Sequence, residues 1–258
     1  MTTPIESFFL NVQGRELEVQ RLGEANARKP AIVFLHDGLG SISTWRDFPR
    51  NLAQRTGCPA IVYSRHGYGN SELFPGERQR NYLHDEALRV LPELLDTLGI
   101  GTPILFGHSD GASIALIYAG ANHSAKALIL LAPHVFVEDL TVQNIAAAKL
   151  AFETTDMPEK LARHHKNPQS VFWNWNSTWM HSEFRSWNIE EFLPQITCPV
   201  LAIQGLDDPY GTLAQLDAIE RQVPARVDRV HLKNCRHSPH RDHPQRVLEL
   251  SAAFVHGF

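Results

Sequence analysis

The stretch PILFGHSDGASIALIYAG, residues 103–120, joins a short apolar run to an apolar segment of helical length. GHSDG, residues 107–111, connects the two and matches the pattern Gly-x-Ser-x-Gly, which has structural meaning between a strand and a helix. Glycines are needed there because side chains at the first and last positions would crowd a sharp turn. The stretch therefore predicts a buried strand that turns abruptly into a helix and projects Ser109 from the end of a sheet.

The rest of the chain alternates short apolar runs with amphipathic segments, as is typical of a parallel sheet with crossover helices. The predicted strands are residues 31–35, 60–64, 103–107, 126–132, 199–205 and 226–232. The predicted helices lie near residues 45–55, 82–98, 110–121, 212–222 and 243–256. Residues 8–22 add an N-terminal hairpin with Gln13 and Gly14 in its turn, and Pro92 predicts a kink or restart in its helix. The predicted fold class is α/β, with a mostly parallel central sheet.

The alternation stops between Pro133 and Pro199, where about 65 residues hold no clear strand pattern. Helical patterns fill this region, which is too long and too structured for a loop. We therefore predict a helical insertion at residues 134–198 that lies over the sheet, with residues 1–133 and 199–258 forming the core. Four tryptophans in the insertion are candidates for its packed underside and for the wall of a pocket: Trp173, Trp175, Trp179 and Trp187.

The surroundings of Ser109 suggest nucleophilic chemistry. A serine hydroxyl attacks well only when a histidine takes its proton, and that histidine needs a carboxylate to orient it. Asp207 and Asp208 follow one predicted strand, and His237 follows the last one. Because the carboxyl ends of parallel strands lie at one edge of a sheet, we expect His237 and one of the two aspartates near Ser109.

A loop suited to binding a developing negative charge follows the first strand of the core. In FLHDGLGSISTW, residues 34–45, the backbone N–H of Gly38 can point at the reacting carbonyl oxygen together with the N–H of Asp110, the residue after the serine. Loss of such a donor typically raises the barrier by about 3 to 4 kcal/mol. Gly38 and Asp110 are therefore the predicted oxyanion hole.

These features together resemble the α/β-hydrolase superfamily, in the group that carries a helical cap after the sixth strand, and the likeness spans nearly the whole chain. His36 stands nine residues before Trp45, as in the family's His-Gly loop, but Asp37 occupies the position of the glycine. Gly38 then falls on the family's oxyanion position. An aspartate carboxylate at residue 37 disfavours an anion nearby unless it is paired or points away.

The resemblance also indicates which of the two aspartates is the acid that orients the catalytic histidine. In the family this acid lies three residues after the glycine that ends the preceding strand, here Gly205, which favours Asp208 over Asp207. The implied catalytic residues are therefore Ser109, Asp208 and His237.

The stretch CRHSPHRDH, residues 235–243, presents three histidines and an aspartate and raises the question of a metal site. A metal needs three or four convergent ligands, whereas the resemblance assigns these residues separately and implies no metal. His237 fills the position of the base, with Arg236 where the family has glycine, and His240 matches a later family histidine close to the base. Asp242 is expected to cap the closing helix, with the following proline in the first turn.

The resemblance implies a serine hydrolase similar to carboxylesterases. It would cleave a small ester or related carbonyl compound with an apolar or aromatic portion, through an acyl-enzyme on Ser109 and without a cofactor. A thioesterase, a C–C bond hydrolase, an aminopeptidase and a haloperoxidase-like enzyme share the triad and stay open, as does a hydrolase-like ligand receptor. An aminopeptidase needs carboxylates in the insertion to hold an amine, for which Glu183, Glu190 and Glu191 are available.

Composition and charge limit the classes of partner that we expect this protein to bind. The 258 residues suffice for one large core, and the formal charge of −4 comes with no basic stripe, which argues against nucleic acid. The sequence contains neither a polybasic segment nor a long apolar segment, so we expect no membrane contact. The N-terminus lacks a leader pattern and the three cysteines form no Cys-x-x-Cys pair, so we expect a cytoplasmic protein with reduced thiols. A small-molecule substrate is the expected partner, and a homodimer stays open.

Overall fold

The computed structural model describes residues 4–23 and 29–257, and its centre is an eight-stranded sheet. The strand order is β1-β2-β4-β3-β5-β6-β7-β8. The strands are β1 (Ile5–Val12), β2 (Arg15–Leu22), β3 (Ile32–Leu35), β4 (Ala60–Tyr63), β5 (Ile104–His108), β6 (Ala127–Leu131), β7 (Val200–Gly205) and β8 (Val227–Leu232). Pairing is parallel from β4 to β8 and antiparallel at β1 and β2, so the predicted α/β fold with a mostly parallel sheet is confirmed.

The N-terminal hairpin forms as predicted. Val12 pairs with Arg15, which leaves Gln13 and Gly14 as a two-residue turn with φ angles of 52° and 73°. Two successive positive φ angles suit the right-handed twist of a hairpin, and glycine adopts this conformation without strain.

Ten helices, with short 3-10 turns, connect or follow the strands in the described part of the chain. They are α1 (Phe48–Thr56), α2 (Tyr82–Asp85), α3 (Leu91–Thr97), α4 (Asp110–Gly120), α5 (Asp139–Thr154), α6 (Met157–Ala162), α7 (Pro168–Met180), α8 (Ala214–Gln222), α9 (Pro239–Asp242) and α10 (Pro244–Val255). The 3-10 turns are Ile42–Trp45, Ser182–Ser186 and Glu190–Gln195. None of the helices in the described ranges has both the length and the apolar character needed to cross a bilayer.

Helices cover both faces of the sheet. Phe34 and Phe106 stack across β3 and β5 and belong to the core on the side of α1 and α10. Val33 and Leu105, one residue earlier on the same strands, belong to the core on the side of α2 to α4 and α8. Successive residues of a strand face opposite sides, so strands buried on both faces read as continuous apolar runs.

The helix that contains Pro92 widens instead of breaking. A π-helical turn, Glu86–Val90, joins α2 to α3, and the Leu91 N–H donates to the Glu86 carbonyl oxygen. Pro92 has no N–H, and its ring crowds the carbonyl four residues earlier. The wider turn directly before Pro92 accommodates the ring and keeps the helix continuous, so the predicted restart does not occur.

Residues 132–199, between β6 and β7, form what we call the helical insertion, and the predicted residues 134–198 fall within it. It contains α5 to α7 and two of the 3-10 turns. Phe152 of α5 stacks on Phe172 of α7 with ring centroids 3.8 Å apart. His165 accepts the Gly69 N–H and donates from Nε2 to the Leu39 carbonyl oxygen. The insertion is thereby tied to loops at the carboxyl edge of the sheet.

Candidate active site

Ser109 stands between β5 and α4 with φ 53° and ψ −117°, a conformation that is strained for a residue with a side chain. The turn is tight because the flanking glycines are in close contact with neighbouring backbone. A Cβ atom added at Gly107 would lie 2.4 Å from the Gly111 carbonyl oxygen, and one added at Gly111 would lie 1.9 Å from the Leu35 carbonyl oxygen. The glycines at both positions are therefore required by space, as the sequence pattern predicts.

His237 lies between Ser109 and Asp208. Its Nε2 atom is 2.9 Å from Ser109 Oγ, and its Nδ1 atom is 2.9 Å from both carboxylate oxygens of Asp208. Asp207 is exposed, and its backbone N–H donates to the Cys235 carbonyl oxygen. Of the two aspartates, Asp208 is the one that contacts the histidine.

The Asp208 carboxylate is held by further hydrogen bonds. The Tyr210 N–H donates to Oδ1 over 2.8 Å and Gln204 Nε2 donates to Oδ2 over 2.7 Å. Burial alone would raise the pKa of Asp208, but the charge and hydrogen bond of His237 and the bond from Tyr210 lower it below its usual value. Asp208 is therefore a fixed anion beside His237.

Gly38 and Asp110 line the same cavity as Ser109. Asp110 is the first residue of α4, so its N–H belongs to the helix N-terminus, where negative charge is favoured. A Cβ atom at Gly38 would lie 2.4 Å from Trp175 Nε1, so a glycine is required under the indole ring. The two residues of the predicted oxyanion hole thus line the cavity that contains Ser109.

The side chain of Asp110 belongs to a buried polar network. Its Oδ2 atom accepts the Tyr82 hydroxyl over 2.7 Å and lies 3.4 Å from the Arg65 guanidinium, and both charged side chains are 1% exposed. Tyr82 in turn accepts the Trp179 indole N–H over 3.0 Å. The network connects the turn at Ser109 to the helical insertion.

His36 lies behind this network rather than beside the catalytic candidates. Its Nε2 atom accepts the Arg65 backbone N–H over 3.0 Å, and Nδ1 donates to the Asp37 carbonyl oxygen over 2.8 Å. Burial and the charge of Arg65 hold the pKa of His36 well below its usual value. A neutral His36 therefore positions Arg65 and the start of the loop at residues 36–41.

Asp37, which replaces the family's glycine, folds back on its own loop. Its carboxylate lies 3.6 Å from His108 Nδ1, and a Cβ atom at Gly40 would lie 2.2 Å from Asp37 Oδ1. Burial would raise the pKa of Asp37, but His108, Arg241 and His36 hold it well below its usual value. The Asp37 carboxylate is therefore paired. An unpaired carboxylate beside the predicted oxyanion hole would disfavour an anion there, and the pairing removes this conflict.

The residues of the stretch 235–243 make separate contacts, and one expectation for them is corrected. Arg236 is exposed, so its side chain points to solvent where the family has glycine. His240 is buried and packs on Trp45, with ring centroids 4.8 Å apart. Pro244 opens α10, but Asp242 does not cap that helix, because its Oδ2 atom accepts the Arg236 N–H over 2.7 Å. Asp242 thus fixes the loop that carries His237.

No group of three or more histidine, cysteine, aspartate or glutamate side chains in residues 4–23 and 29–257 is arranged to hold a metal ion. The histidines of the C-terminal stretch serve separate contacts. His237 contacts Ser109 and Asp208, His240 packs on Trp45, and His243 donates to the Asn234 carbonyl oxygen.

The cavity above Ser109 has a volume of about 210 Å³. Of the four candidate tryptophans, Trp175 and Trp179 line it. Trp173 and Trp187 do not: Trp173 packs edge-on against Phe152 and Phe172, and Trp187 stacks on Phe184. The prediction for these two tryptophans is corrected, because the insertion uses them for its own core.

Among the site residues that the sequence patterns do not indicate are Gln204, Tyr210 and His134. Gln204 and Tyr210 hold Asp208, the Tyr210 ring lies 4.8 Å from that of His237, and His134 lines the cavity. The sequence feature that could have indicated these residues is their position at or just after the carboxyl ends of predicted strands. Gln204 interrupts an apolar strand at its carboxyl end, and His134 and Tyr210 follow strands at the edge where Ser109 lies.

Comparison with known proteins identifies the family. The sequence model described as "Alpha/beta hydrolase family" matches residues 32–250, which is most of the chain. The protein therefore belongs to the alpha/beta hydrolase family, and this membership supports a general hydrolase activity.

The relatives compared here are distant in sequence. A proline iminopeptidase from Lactobacillus helveticus is 25% identical over 251 residues, which cover 80% of this chain and 84% of the relative. The 3-oxoadipate enol-lactonase 1 of Acinetobacter baylyi is 24% identical over 271 residues, which cover 95% of each chain. The solved enol-lactonase of Burkholderia xenovorans LB400 shares the fold, with a TM-score of 0.76 at 19% identity over 96% of this chain and 99% of that one. The relatives differ in reaction, so they leave the substrate open.

Proposed function

We propose that this protein is a serine hydrolase, similar to carboxylesterases, that cleaves a small ester with an apolar or aromatic portion. The observation that carries the proposal is the hydrogen-bonded chain from Ser109 through His237 to Asp208 at the floor of a cavity. A serine, a base and an orienting acid in this geometry are the requirements of acyl transfer.

In the proposed reaction, Ser109 Oγ attacks the ester carbonyl while His237 Nε2 accepts its proton. Asp208 holds the imidazole through Nδ1 and stabilises the imidazolium. The N–H groups of Gly38 and Asp110 bind the oxyanion of the tetrahedral intermediate. His237 returns the proton to the leaving alcohol. In the second half of the reaction it takes a proton from the water that attacks the acyl-enzyme, and it passes this proton to Ser109 Oγ as the acid product leaves.

The wall of the cavity supports the proposed substrate class. Leu39, Ile145, Trp175 and Trp179 contribute apolar surface around Ser109, and a volume of about 210 Å³ suits a small substrate. Hydrolysis of an enol lactone, the reaction named for one relative, also opens an ester bond. An ester with a short apolar or aromatic portion is therefore the first substrate to test.

An aminopeptidase is a weaker candidate, although one relative is named a proline iminopeptidase. Glu183 pairs with Arg80, and Glu190 accepts from Asn188 and lies near Arg221. Neither of these carboxylates nor Glu191 lines the cavity. The insertion therefore presents no glutamate to an amine at Ser109, and we expect proline p-nitroanilide to be a poor substrate.

The test is covalent labelling with a fluorophosphonate followed by peptide mass spectrometry. We expect one adduct, on Ser109, and turnover of p-nitrophenyl butanoate that falls by at least about 10⁴-fold in Ser109→Ala. Ser177→Ala, which changes an exposed serine of α7, is the matched control and should keep full activity. An unlabelled Ser109, or unchanged turnover in Ser109→Ala, would contradict the proposal and favour a non-catalytic receptor.

A further inference from the structure

His134 is a buried histidine in the wall of the cavity, and the proposed reaction does not use it. It lies between β6 and α5 and is 2% exposed. Its ring centroid lies 5.7 Å from that of His237 and 5.4 Å from that of Trp179. His134 therefore sits next to the space where a substrate of Ser109 is held.

The backbone on both sides of the His134 ring is fixed. Its carbonyl oxygen accepts the Ser113 hydroxyl over 2.6 Å, and the next N–H, of Val135, donates to Gln215 Oε1 over 2.7 Å. Ser113 lies on α4 and Gln215 on α8, so two helices of the core hold this segment. The position of the ring is thus set by the fold.

One ring nitrogen of His134 has no hydrogen-bond partner among the described residues. Its Nδ1 atom is buried, and no residue in the described part of the chain hydrogen-bonds to it. Burial, and then the charge of His237, lower the pKa of His134 to about 3, so the ring is neutral at pH 7. A neutral imidazole offers one N–H donor and one acceptor. A buried polar group without a partner is unfavourable, and a ligand that supplies one gains affinity.

His134 differs from the other histidines that have an unpartnered ring nitrogen because it lines the cavity above Ser109. Among the described residues, His66, His84 and His240 also have such a nitrogen, but none of them lines the cavity above Ser109. His134 is the one in this group that a substrate of Ser109 meets.

The part of the cavity wall that described residues form offers no lysine or arginine to a substrate. Its lining, within the described ranges, includes Asp37 and Asp110 but no lysine or arginine. Arg65 is buried and already engaged by Asp110, and Arg236 is exposed outside the lining. A substrate carboxylate would enter a cavity whose described lining supplies no lysine or arginine as its counter-ion, which is unfavourable.

We propose that the substrate is an uncharged ester with a hydroxyl or carbonyl substituent near the scissile bond, and that His134 hydrogen-bonds this substituent. The proposal rests on the proposed serine hydrolase function for the bond cleaved, but the binding contact itself requires no chemistry at Ser109. His134 is a specificity residue in this scheme, since it touches the substrate away from the bond that breaks.

The kinetic test compares matched esters. One pair is p-nitrophenyl butanoate and p-nitrophenyl 3-hydroxybutanoate, and the other is phenyl butanoate and 3-hydroxyphenyl butanoate. We expect the wild type to prefer the hydroxylated member of at least one pair by about 10-fold in kcat/KM. Mono-p-nitrophenyl succinate, which adds a carboxylate, should be at least about 10-fold poorer than the butanoate.

Variants of His134 test whether the preference for the hydroxylated ester depends on its imidazole. His134→Phe keeps a ring without nitrogen atoms and should abolish the preference within each pair through KM, whereas His134→Gln should retain part of it. His84→Phe removes another unpartnered nitrogen outside the cavity and is the matched control. No preference in either pair, a preference that survives in His134→Phe, or faster turnover of the succinate ester would overturn the proposal.

A binding measurement separates this proposal from the proposed function. In Ser109→Ala no acyl-enzyme can form, so calorimetry can compare the affinities of methyl butanoate and methyl 3-hydroxybutanoate. Tighter binding of the hydroxylated ester, lost when His134→Phe is added, supports the specificity role even if no ester is turned over. Equal affinities overturn it even if Ser109 proves to be the nucleophile.

Discussion

His108 Nε2 donates a hydrogen bond to the carbonyl oxygen of His237 over 2.7 Å, and this contact joins the turn that carries Ser109 to the loop that carries the proposed base. His108 directly precedes Ser109, so the two loops are connected at the point where their side chains must meet. Asp37 lies on the other side of the His108 ring, 3.6 Å from Nδ1. The pair Asp37 and His108 therefore holds the His237 loop from behind.

Removal of this contact should reduce catalysis without removing the nucleophile. In His108→Leu we expect kcat for p-nitrophenyl butanoate to fall by about 10-fold with KM nearly unchanged, because His237 is less often at hydrogen-bond distance from Ser109. Asp37→Asn should have a smaller effect of the same kind. The double variant should lose less than the two single losses combined, since both act through one contact. Additive losses would contradict the connection between Asp37 and His108.

The two adjacent aspartates provide a matched test of the acid. Asp208→Asn should lower kcat by about 10³- to 10⁴-fold, because the amide no longer favours the orientation and charge that His237 needs. Asp207→Asn changes an exposed side chain and should stay within twofold of the wild type. The measurement is steady-state kinetics on a short p-nitrophenyl ester, with circular dichroism to confirm folding. Similar losses in both variants would reject Asp208 as the orienting acid.

Gly111 should tolerate no side chain. A Cβ atom there would lie 1.9 Å from the Leu35 carbonyl oxygen, so Gly111→Ala must displace β3 or α4 and should reduce the free energy of unfolding by about 3 kcal/mol. Gly101→Ala is the matched control, because no atom of the described residues lies within 4 Å of its Cβ position. Urea unfolding followed by tryptophan fluorescence compares the two. A Gly111→Ala protein as stable as Gly101→Ala would refute the close packing at the turn.

The buried ion pair of Arg65 and Asp110 should be costly to break. Both side chains are 1% exposed, so Arg65→Met leaves the Asp110 carboxylate without its cation and should lower the free energy of unfolding by about 3 to 5 kcal/mol. Adding Asp110→Asn should restore part of the stability, because the uncompensated charge is then removed. Arg226→Met breaks an exposed ion pair with Asp228 and should have no measurable effect. The measurement is again urea unfolding at pH 7.

Buried neutral histidines should make the protein sensitive to mild acid. Burial, and then the charge of His237, lower the pKa of His134 to about 3, whereas an unfolded histidine titrates near 6.5. The unfolded state therefore binds more protons, and stability is lost as the pH falls from about 6.5 towards about 3, by roughly 1.4 kcal/mol per pH unit. His36 and His240 act in the same direction, since their pKa values are also lowered, mainly by burial.

Urea unfolding between pH 7 and pH 5 checks this prediction. The window lies above the usual titration range of carboxylates, so the lowered pKa of Asp208 contributes little there. His134→Gln should show a slope that is shallower by about 1.4 kcal/mol per pH unit. An unchanged slope would mean that His134 takes up its proton in the folded protein.

Local patterns in the sequence were sufficient for much of the fold. Alternation of apolar runs with amphipathic segments predicted the parallel sheet, and the glycines at 107 and 111 predicted the turn at Ser109, because each depends on residues close in sequence. The capping role expected of Asp242 was wrong for the opposite reason. Its preferred partner, the Arg236 N–H, becomes available only after the loop between β8 and α9 folds back on itself.

The sequence by itself determined the order of strands and helices, the strained turn at Ser109 and the loops that carry Asp208 and His237, since short-range sterics and burial dictate these. Only the tertiary structure decided what surrounds them. Three features depend on packing between segments far apart in the chain. They are the pairing of Asp37 with His108, the choice of which tryptophans line the cavity, and the position of His134 in the cavity wall without a hydrogen-bond partner for Nδ1 among the described residues. Residue spacing carries no information about such packing, because side-chain direction at each contact is set by both partners.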